Sequence, residues 1–373
     1  MLLPNGFDPD PRVHQEAKSL VKNGFDVTII AWDRECKMPK IENKDGINIE
    51  RIHIKSSYGR GSSQLFFVLF FWFKAFLLSM RKQFDVIHCH DFNTLPLGVV
   101  IGKLKRKKII FDAHESYFEM LESNVSSIIK KAMATAEKNL LKRIDLLITV
   151  GEILESEYKR RGAKKTSVVG NWKLISDYQI PSEELIAEKQ RLKLPDKLII
   201  TFIGYLNEGR GILELIEAAK VNKEIFVILA GKGMLEEQVK QAAKDCDNII
   251  FLGFLSPETI PLYTALSDVI YYALNGRNPN AKYSAPNKLF EALAAGKVII
   301  TGNFGEIGKI VREENCGIIV DDITPTNLTK VLSLISQREI LRNYQKNAAA
   351  AGKRKYNWLS AEQTLLDAYR HLS

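Results

Sequence analysis

Short apolar segments alternate with amphipathic ones through the whole chain, and this alternation most constrains its fold. A first series of predicted strands covers residues 27–32, 85–90, 108–112 and 145–150, and a second covers 198–203, 226–230, 248–252, 268–274 and 297–301. Nearly continuous apolar strands separated by helices are typical of parallel sheets covered on both faces. Two such series in succession predict an α/β protein of two doubly wound domains, with ligands at the carboxyl ends of the strands.

Between the two series lies a polar stretch, residues 172–196, that contains Pro181 and Pro195. Because 373 residues are too many for one ordinary core, two domains are expected. We predict an N-terminal domain at 1–172, a linker at 173–196 and a C-terminal domain at 197–355. The last residues, 356–373, are expected to form a helix that packs back on the first domain.

The composition limits the partners and the compartment. A net charge of +9 favours an anionic partner, such as nucleic acid, anionic lipid or a sugar phosphate. The chain has no RRM, KH or zinc-finger signature, so we expect no nucleic acid as partner. Its four cysteines form no CxxC pair, which favours a reducing compartment, and its start does not resemble a secretory signal. We therefore expect a cytoplasmic protein.

Residues 65–80, LFFVLFFWFKAFLLSM, break the alternation. This run is shorter than the roughly 20 apolar residues that span a bilayer, and Lys74 lies in its middle. The flanking bases Arg60, Arg81 and Lys82 fit a helix that lies at the level of anionic headgroups. We predict that residues 65–82 dock on the inner face of the plasma membrane as a peripheral contact.

The alternative is a core helix, and the two readings expose different side chains. A core helix would turn Phe66, Phe70 and Phe73 toward a sheet, whereas a membrane face would include Phe67 and Phe71. A second basic run, residues 103–108, fits a solvated turn and a binding patch equally well.

An acid, Glu291, lies within SAPNKLFEALAAGKVIITG, a stretch otherwise patterned like a buried helix and strand. Leu289, Phe290 and Leu293 form an apolar stripe at helical spacing. Lys288 lies three residues before the acid, so the simplest interpretation is a surface ion pair worth about 0.2–0.5 kcal/mol.

Several segments resemble, in order, those of the family 4 (group 1) glycosyltransferases, which have the GT-B fold. They are DPRVHQEAKSLVKNGFDVTII, DVIHCHDFNTLPLG, IIFDAHESYFE, FIGYLNEGRGILELIEA, ILAGKGMLEEQ, PNKLFEALAAGKVIITG and the closing YNWLSAEQTLLDAYRHL. The resemblance covers nearly the whole chain. It implies two Rossmann-like domains facing a cleft, the first on the acceptor side and the second binding a nucleotide sugar.

The resemblance also implies an activity, which is transfer of a hexosyl or N-acetylhexosaminyl group from a nucleotide-diphosphate sugar to a glycan or lipid-linked acceptor, with retention. Glu291 matches the second acid of the family's E-x7-E pair, which hydrogen-bonds the donor ribose, and Tyr283 stands where the first acid would be. The family's phosphate loop, G-R-x4-K-G, starts here at Gly204, with Tyr205 in place of its arginine and Arg210 in place of its lysine.

A guanidinium clamps a diphosphate well, so Arg210 suits this position. With one cation missing from the loop, Lys288 is a candidate second clamp. The resemblance further implies donor contacts for Gly6, Gly231, Gly233 and Asn287, and it places His114 near the donor sugar and the reacting centre.

The resemblance is to a retaining family, and no second carboxylate is a candidate nucleophile, so the implied mechanism is front-face displacement. Arg210, Lys288 and helix N-termini would stabilise the departing diphosphate, and His114 would lie in the catalytic pocket.

No metal and no other cofactor are expected. His88 and His90 share a strand face, but the sequence offers them no third ligand. The triplets Asp8-Pro9-Asp10 and Asp245-Cys246-Asp247 have the DxD form of metal-dependent transferases, yet neither follows a suitable strand. The alternatives that stay open are a nucleotide-sugar epimerase, an inverting transferase, and a nucleotide-sugar-binding protein without catalysis.

Overall fold

The computed structural model describes residues 1–7, 10–56, 64–116, 127–274 and 279–372. The chain divides into two compact units. The first unit contains Met1–Val169 and Ala361–Ser373, and the second unit contains Gly170–Ser360. Residues 173–196, which the sequence predicts to be a linker, lie within the second unit.

The first unit is built on an eight-stranded sheet. Its strands are β1 (Leu2–Leu3), β2 (Thr28–Asp33), β3 (Ile41–Lys44), β4 (Ile47–His53), β5 (Val86–His90), β6 (Lys108–Ala113), β7 (Leu146–Thr149) and β8 (Thr166–Val168). They lie in the order β3-β4-β2-β1-β5-β6-β7-β8, and β3 pairs with β4 antiparallel while the other pairs are parallel. Parallel strands need helical crossovers, which is why the helices between them cover both faces of the sheet.

Five helices of the described residues belong to this unit. They are α1 (Pro11–Lys22), α2 (Gln64–Met80), α3 (Leu95–Lys105), α4 (Ser127–Leu141) and α5 (Glu152–Arg161). Helix α1 begins where the Asp10 side chain accepts the Val13 N–H and proline occupies its first position. Its apolar stripe of Val13, Ala17 and Leu20 is buried.

The second unit is built on a six-stranded parallel sheet. Its strands are β9 (Leu198–Ile203), β10 (Ile225–Ala230), β11 (Ile249–Phe251), β12 (Val269–Tyr272), β13 (Val298–Gly302) and β14 (Gly317–Val320). The order is β11-β10-β9-β12-β13-β14, so the chain reverses its direction across the sheet between β9 and β12. Ligands of open α/β sheets bind at the carboxyl ends of the strands, at such a reversal.

In the described part of this unit, eight α-helices lie around the second sheet. They are α6 (Ser182–Arg191), α7 (Ile212–Val221), α8 (Glu236–Asp245), α9 (Ile260–Leu266), α10 (Asn287–Ala295), α11 (Gly305–Glu314), α12 (Pro325–Ile335) and α13 (Arg338–Arg354). The last helix, α14 (Trp358–Arg370), starts in the second unit and continues in the first. Its Tyr369 packs edge-on against Phe25, with ring centroids 5.5 Å apart.

The faces that the sequence reading assigned to α2 are reversed. Phe71 is buried and stacks on Trp32 of β2, with ring centroids 5.1 Å apart, so it belongs to the core. The phenylalanines expected to face a sheet are exposed, with 69% of Phe66 and 59% of Phe73 accessible. The exposed apolar face of α2 consists of Leu65, Phe66, Leu69, Phe70, Phe73, Leu77 and Met80. Among the described residues, no helix combines the length and apolar character needed to cross a bilayer.

Candidate functional site

A buried carboxylate, Asp112, lies near the end of β6 in the first unit. Arg12 of α1 donates to both of its oxygens, at 3.1 Å from Nε to Oδ2 and at 2.8 Å from Nη2 to Oδ1. Although burial raises the pKa of this carboxyl, Arg12 and His114 outweigh that effect and hold it well below its usual range. Asp112 is therefore a fixed negative charge at the carboxyl edge of the sheet.

His114 lies between two carboxylates. Its Nε2 is 3.1 Å from Asp112 Oδ2, and its Nδ1 is 3.5 Å from Asp91 Oδ1. Burial alone would lower the imidazole pKa, but the two acids raise it to about 10. The predicted catalytic histidine is thus a cation at neutral pH and is poorly suited to act as a general base.

Asp91, which follows β5, has left-handed backbone geometry with φ of 61°. Non-glycine residues rarely adopt this conformation, and such strain concentrates at functional sites. Its N–H donates to the Asp112 carbonyl at 3.0 Å, and its carbonyl accepts the Thr94 hydroxyl at 3.2 Å. The fold therefore holds Asp91 in an unfavourable conformation beside His114.

The expectation that His88 and His90 have no third ligand is wrong. Glu16, His88, His90 and Asp112 are all buried, and one potential ligand atom from each lies within 4.8 Å of the others. Glu16 Oε1 lies 3.0 Å from Arg12 Nη2, whereas Glu16 Oε2 and the Nε2 atoms of the two histidines have no hydrogen-bond partner among the described residues. Burial also raises the pKa of Glu16 to about 8 against the opposing pull of Arg12.

The donor set of this cluster nonetheless fits a hydrogen-bonded ion network better than a metal centre. The guanidinium of Arg12 and the imidazole of His114 already contact the oxygens of Asp112, and His90 Nδ1 lies 3.2 Å from the same carboxylate. A divalent cation would have to displace positive groups from that carboxylate. Of the DxD triplets, Asp245-Cys246-Asp247 begins at the last residue of α8 and has both acids exposed, while Asp8 and Pro9 lie outside the described residues.

In the second unit, the loops after β9 and β10 are paired. Gly204 N–H donates to the Ala230 carbonyl at 3.0 Å, and Leu206 N–H donates to the Lys232 carbonyl at 2.9 Å. Gly231 and Gly233 have φ of 142° and 158°, and a Cβ on either would collide with a carbonyl oxygen of the facing loop. These two glycines are required for the close approach of the loops, which leaves Tyr205 exposed at the sheet edge.

Arg210 lies at the end of the same loop, just before α7. Its Nη1 donates to the Tyr272 hydroxyl at 3.3 Å, which holds it near the carboxyl end of β12. The neighbouring Tyr271 hydroxyl donates to the Gly211 carbonyl at 2.9 Å and fixes the loop. Arg210 therefore lies close to the reversal between β9 and β12, and no carboxylate lies within ion-pair distance of it in the part of the chain that the structure describes.

The first two turns of α10 contain the predicted acid and its lysine. Lys288 Nζ lies 2.6 Å from Glu291 Oε2, so the i,i+3 pair forms, but both side chains are largely buried. Asn287 accepts a hydrogen bond at 2.8 Å from Lys173 Nζ, and Asn171 Nδ2 donates to the Ala285 carbonyl at 3.1 Å. Segment 171–173 thereby fixes the N-terminal end of α10.

The other predicted donor residues are more dispersed. Tyr283 ends a short 3₁₀ helix, Pro279–Tyr283, and is buried. Gly6 lies in the first unit, where its carbonyl accepts Arg51 Nε at 2.8 Å. Asn287, Lys288 and Glu291 are neighbours on α10, whereas His114 and Gly6 belong to the other unit.

Sequence reasoning missed Arg12, Glu16, Asp91, Asp112 and Lys173 as parts of these clusters. Arg12 and Asp112 are 100 residues apart, and Lys173 and Asn287 are 114 residues apart. The only available signal was position, because Asp91 and Asp112 lie at the carboxyl ends of predicted parallel strands, where functional side chains collect.

Known proteins match both halves of the chain. The family model for group 1 glycosyl transferases matches residues 184–352, and that for glycosyltransferase family 4 matches residues 12–172. An uncharacterised glycosyltransferase of Methanocaldococcus jannaschii is 25% identical over 95% of this chain and 92% of its own length.

Solved structures share the fold. The sucrose-phosphate synthase of Thermosynechococcus elongatus has a TM-score of 0.79 at 17% identity and covers 100% of this chain and 98% of its own. HepE of Anabaena, solved with UDP, has a TM-score of 0.73 at 16% identity and covers 99% of each chain. These likenesses confirm the predicted GT-B fold class. Since the two family models match successive parts of one chain in this fold, the chain belongs to the group 1, or family 4, glycosyltransferases.

Proposed function

We propose that this glycosyltransferase moves a hexosyl or N-acetylhexosaminyl group from a nucleotide-diphosphate sugar to a glycan or lipid-linked acceptor, with retention of anomeric configuration. The observation that carries the proposal is the start of α10, where Lys288 lies in the first turn and its buried partner Glu291 begins the second turn. The positive end of a helix favours a phosphate, and a carboxylate one turn further on suits the hydroxyls of a ribose.

The roles follow from charge and position. Arg210 has no carboxylate partner among the described residues and lies at the sheet reversal, so its guanidinium is suited to hold the diphosphate. Glu291 accepts hydrogen bonds from the ribose, and Lys288 offsets charge on the leaving group as the glycosidic bond breaks. The His114 cation, held by Asp91 and Asp112, supplies positive charge near the donor sugar rather than removing a proton.

A related fold supports the choice of donor, since HepE has been solved with UDP. The family membership does not favour the epimerase or the non-catalytic binder. Retention is proposed because the chain resembles a retaining family. Since the carboxylates of the site, Asp112 and Glu291, are already paired with cations, neither is placed as a glycosyl nucleophile, which favours front-face displacement over double displacement.

We also propose an acceptor at a membrane surface, carried by the exposed face of α2. Seven large apolar side chains lie on this face, and Lys74 Nζ lies 4.6 Å above the Phe70 ring. Helix α3 packs beside α2 and exposes Val100 and Leu104. The basic run 103–108 ends this helix, and neither 64–84 nor 95–108 contains an acid. Lys82 and Lys107 pair with Glu50 and Asp85, which lie outside these two segments. An apolar face next to two basic, acid-free segments is complementary to an anionic lipid surface.

A thermal-shift screen against uridine, guanosine and adenosine diphosphate sugars tests the donor. A ligand at 100 times its dissociation constant adds about 2.7 kcal/mol to the free energy of unfolding, so one class of base should raise the melting temperature. The stabilising donor is then incubated with the enzyme, and slow hydrolysis with retained configuration is expected by NMR. An inverted sugar product would contradict the retaining mechanism, and the absence of any stabilising donor would contradict the donor class.

A further inference from the structure

Lys173 is held at the N-terminal end of α10 by contacts on both its backbone and its side chain. Its carbonyl accepts the Trp358 N–H at 3.0 Å, and its backbone forms a parallel bridge with Asn357. Its Nζ donates to Asn287 Oδ1 at 2.8 Å, on the first residue of the helix. The ammonium group is therefore positioned by the fold.

The charge of Lys173 is not balanced by a neighbouring acid. In the described part of the chain no carboxylate oxygen lies within 4.0 Å of its Nζ, and its direct partner is the neutral amide of Asn287. Burial lowers the pKa of this ammonium, while Glu291 opposes that effect and Lys288 adds to it. Two lysines thus share one glutamate at a helix end that already carries positive partial charge.

A partly buried ammonium without a counter-ion is costly, and the cost is recovered when an anion binds. The phosphate loop of this chain also lacks a cation, because Tyr205 stands where the family pattern has arginine, and Tyr205 is exposed. The phosphate loop with Tyr205 therefore lacks a positive charge, and the ammonium group of Lys173 can supply one.

We propose that Lys173 binds the diphosphate of the donor, as a third cation beside Arg210 and Lys288. This inference rests on the proposed function, since it assigns one more residue to the same donor site. An ammonium on a long side chain contacts phosphate oxygens as a point charge, which suits a diphosphate at the N-terminus of α10. In this proposal, the charge of Lys173 replaces that of the arginine missing at Tyr205, so the site can still hold a diphosphate.

The test compares binding of UDP, GDP, ADP, their three nucleosides and inorganic diphosphate by calorimetry to the full chain and three variants. Lys173→Gln removes the charge but keeps an N–H donor for Asn287, Lys173→Arg keeps the charge, and Lys223→Met removes an exposed lysine between α7 and β10. Lys223 lies at the amino end of β10, away from the carboxyl edge of the sheet.

We expect Lys173→Gln to weaken the best nucleoside diphosphate at least tenfold and the matching nucleoside less than twofold. Lys173→Arg should bind within about threefold of wild type, and Lys223→Met should bind as wild type does. The difference between wild type and Lys173→Gln should shrink with added salt, because the lost contribution is electrostatic. A merely structural role would instead affect the nucleoside and the diphosphate alike.

The two proposals fail in different ways. If wild type binds a nucleoside diphosphate and Lys173→Gln binds it equally well, the role of Lys173 is overturned while the donor site stands. If wild type binds neither inorganic diphosphate nor any of the three nucleoside diphosphates, the proposed donor site itself is wrong, and the role of Lys173 falls with it. Melting temperatures of all variants, measured without ligand, verify that each is folded.

Discussion

Glu291 and Glu217 each pair with a lysine three residues away. Because the two pairs differ in burial, the exposed pair can serve as a control for the proposed role of the buried one. The Glu217–Lys220 pair joins Oε1 and Nζ at 2.6 Å with both side chains about half exposed, whereas the Lys288–Glu291 pair is largely buried at the same separation. An exposed pair of this kind is worth little, so Glu217→Gln is a matched control.

We expect Glu291→Gln and Arg210→Ala each to weaken donor binding or turnover at least about tenfold, or about 1.4 kcal/mol. The reason is the loss of a ribose acceptor in one variant and of a phosphate-binding cation in the other. Donor titrations and initial rates measure the effect, and Glu217→Gln should change neither. Equal kinetics in wild type and both site variants would rule out this helix and loop as the donor site.

The raised pKa of His114 predicts that the free energy of unfolding falls as the pH rises toward 10. Its pKa is raised in the folded state from 6.5 to about 10, so folding binds its proton more tightly than the unfolded chain does. The stabilisation is complete below about pH 6.5 and is lost as the pH rises through about 10. Wild type should therefore lose more unfolding free energy over that range than His114→Gln.

Denaturant titrations from pH 6 to 10.5 measure this difference. His371→Gln, at the exposed end of the chain, serves as the control and should follow the wild-type curve. Parallel curves for wild type and His114→Gln would mean that the two carboxylates do not stabilise the histidine cation.

The residues of the site were predictable to different degrees. Glu291, Arg210 and His114 lie in motifs whose order along the chain carries the resemblance, so they were found from sequence. Lys173 and Glu16 contact partners that only the folded chain brings near. Lys173 also lies in none of the segments that carry the family resemblance. A single sequence gives residue types and spacing, whereas charge balance depends on contacts across many residues.

Helix α2 shows the same division at the scale of an element. Its existence follows from its composition, but a helix that is apolar all round has no periodicity to show which face is buried. The face was decided by Trp32, which stacks on Phe71. Likewise the strongly apolar strands were predicted, while the shorter or more polar β3, β4, β8 and β14 were not.

We expect Phe66→Ser/Phe70→Ser/Phe73→Ser to abolish co-sedimentation with anionic vesicles while leaving the unfolding free energy nearly unchanged. These three rings are exposed, so their removal takes apolar area from a lipid contact rather than from the core. Sedimentation with phosphatidylglycerol vesicles at low and high salt measures the effect, because the basic residues add a salt-sensitive part.

Phe71→Ala provides the opposite control. Phe71 is fully buried, so this change should cost about 3–5 kcal/mol of stability. If wild type does not sediment with anionic vesicles even at low salt, the membrane proposal is wrong and a soluble acceptor becomes the better proposal.

At the scale of the whole molecule, we expect the reaction to need no divalent metal. The cations that face the proposed diphosphate are side chains, Arg210, Lys288 and Lys173, and the buried cluster around Asp112 is occupied by Arg12 and His114. Activity measured in excess EDTA should equal activity in buffer. Complete loss that Mg²⁺ or Mn²⁺ restores would show that a metal site had been overlooked.

The first unit is assembled from both ends of the chain, since Ala361–Ser373 joins Met1–Val169. During synthesis, the part of helix α14 that belongs to the first unit emerges from the ribosome only after the entire second unit has been made. At about 5–20 residues per second that interval lasts about 10–40 s. During it, the surface near Phe25 and His88 that Tyr369 later covers is open to chaperones and to other nascent chains. The second unit is continuous in sequence and has no such delay. The connectivity of the chain therefore makes the second unit complete before the first.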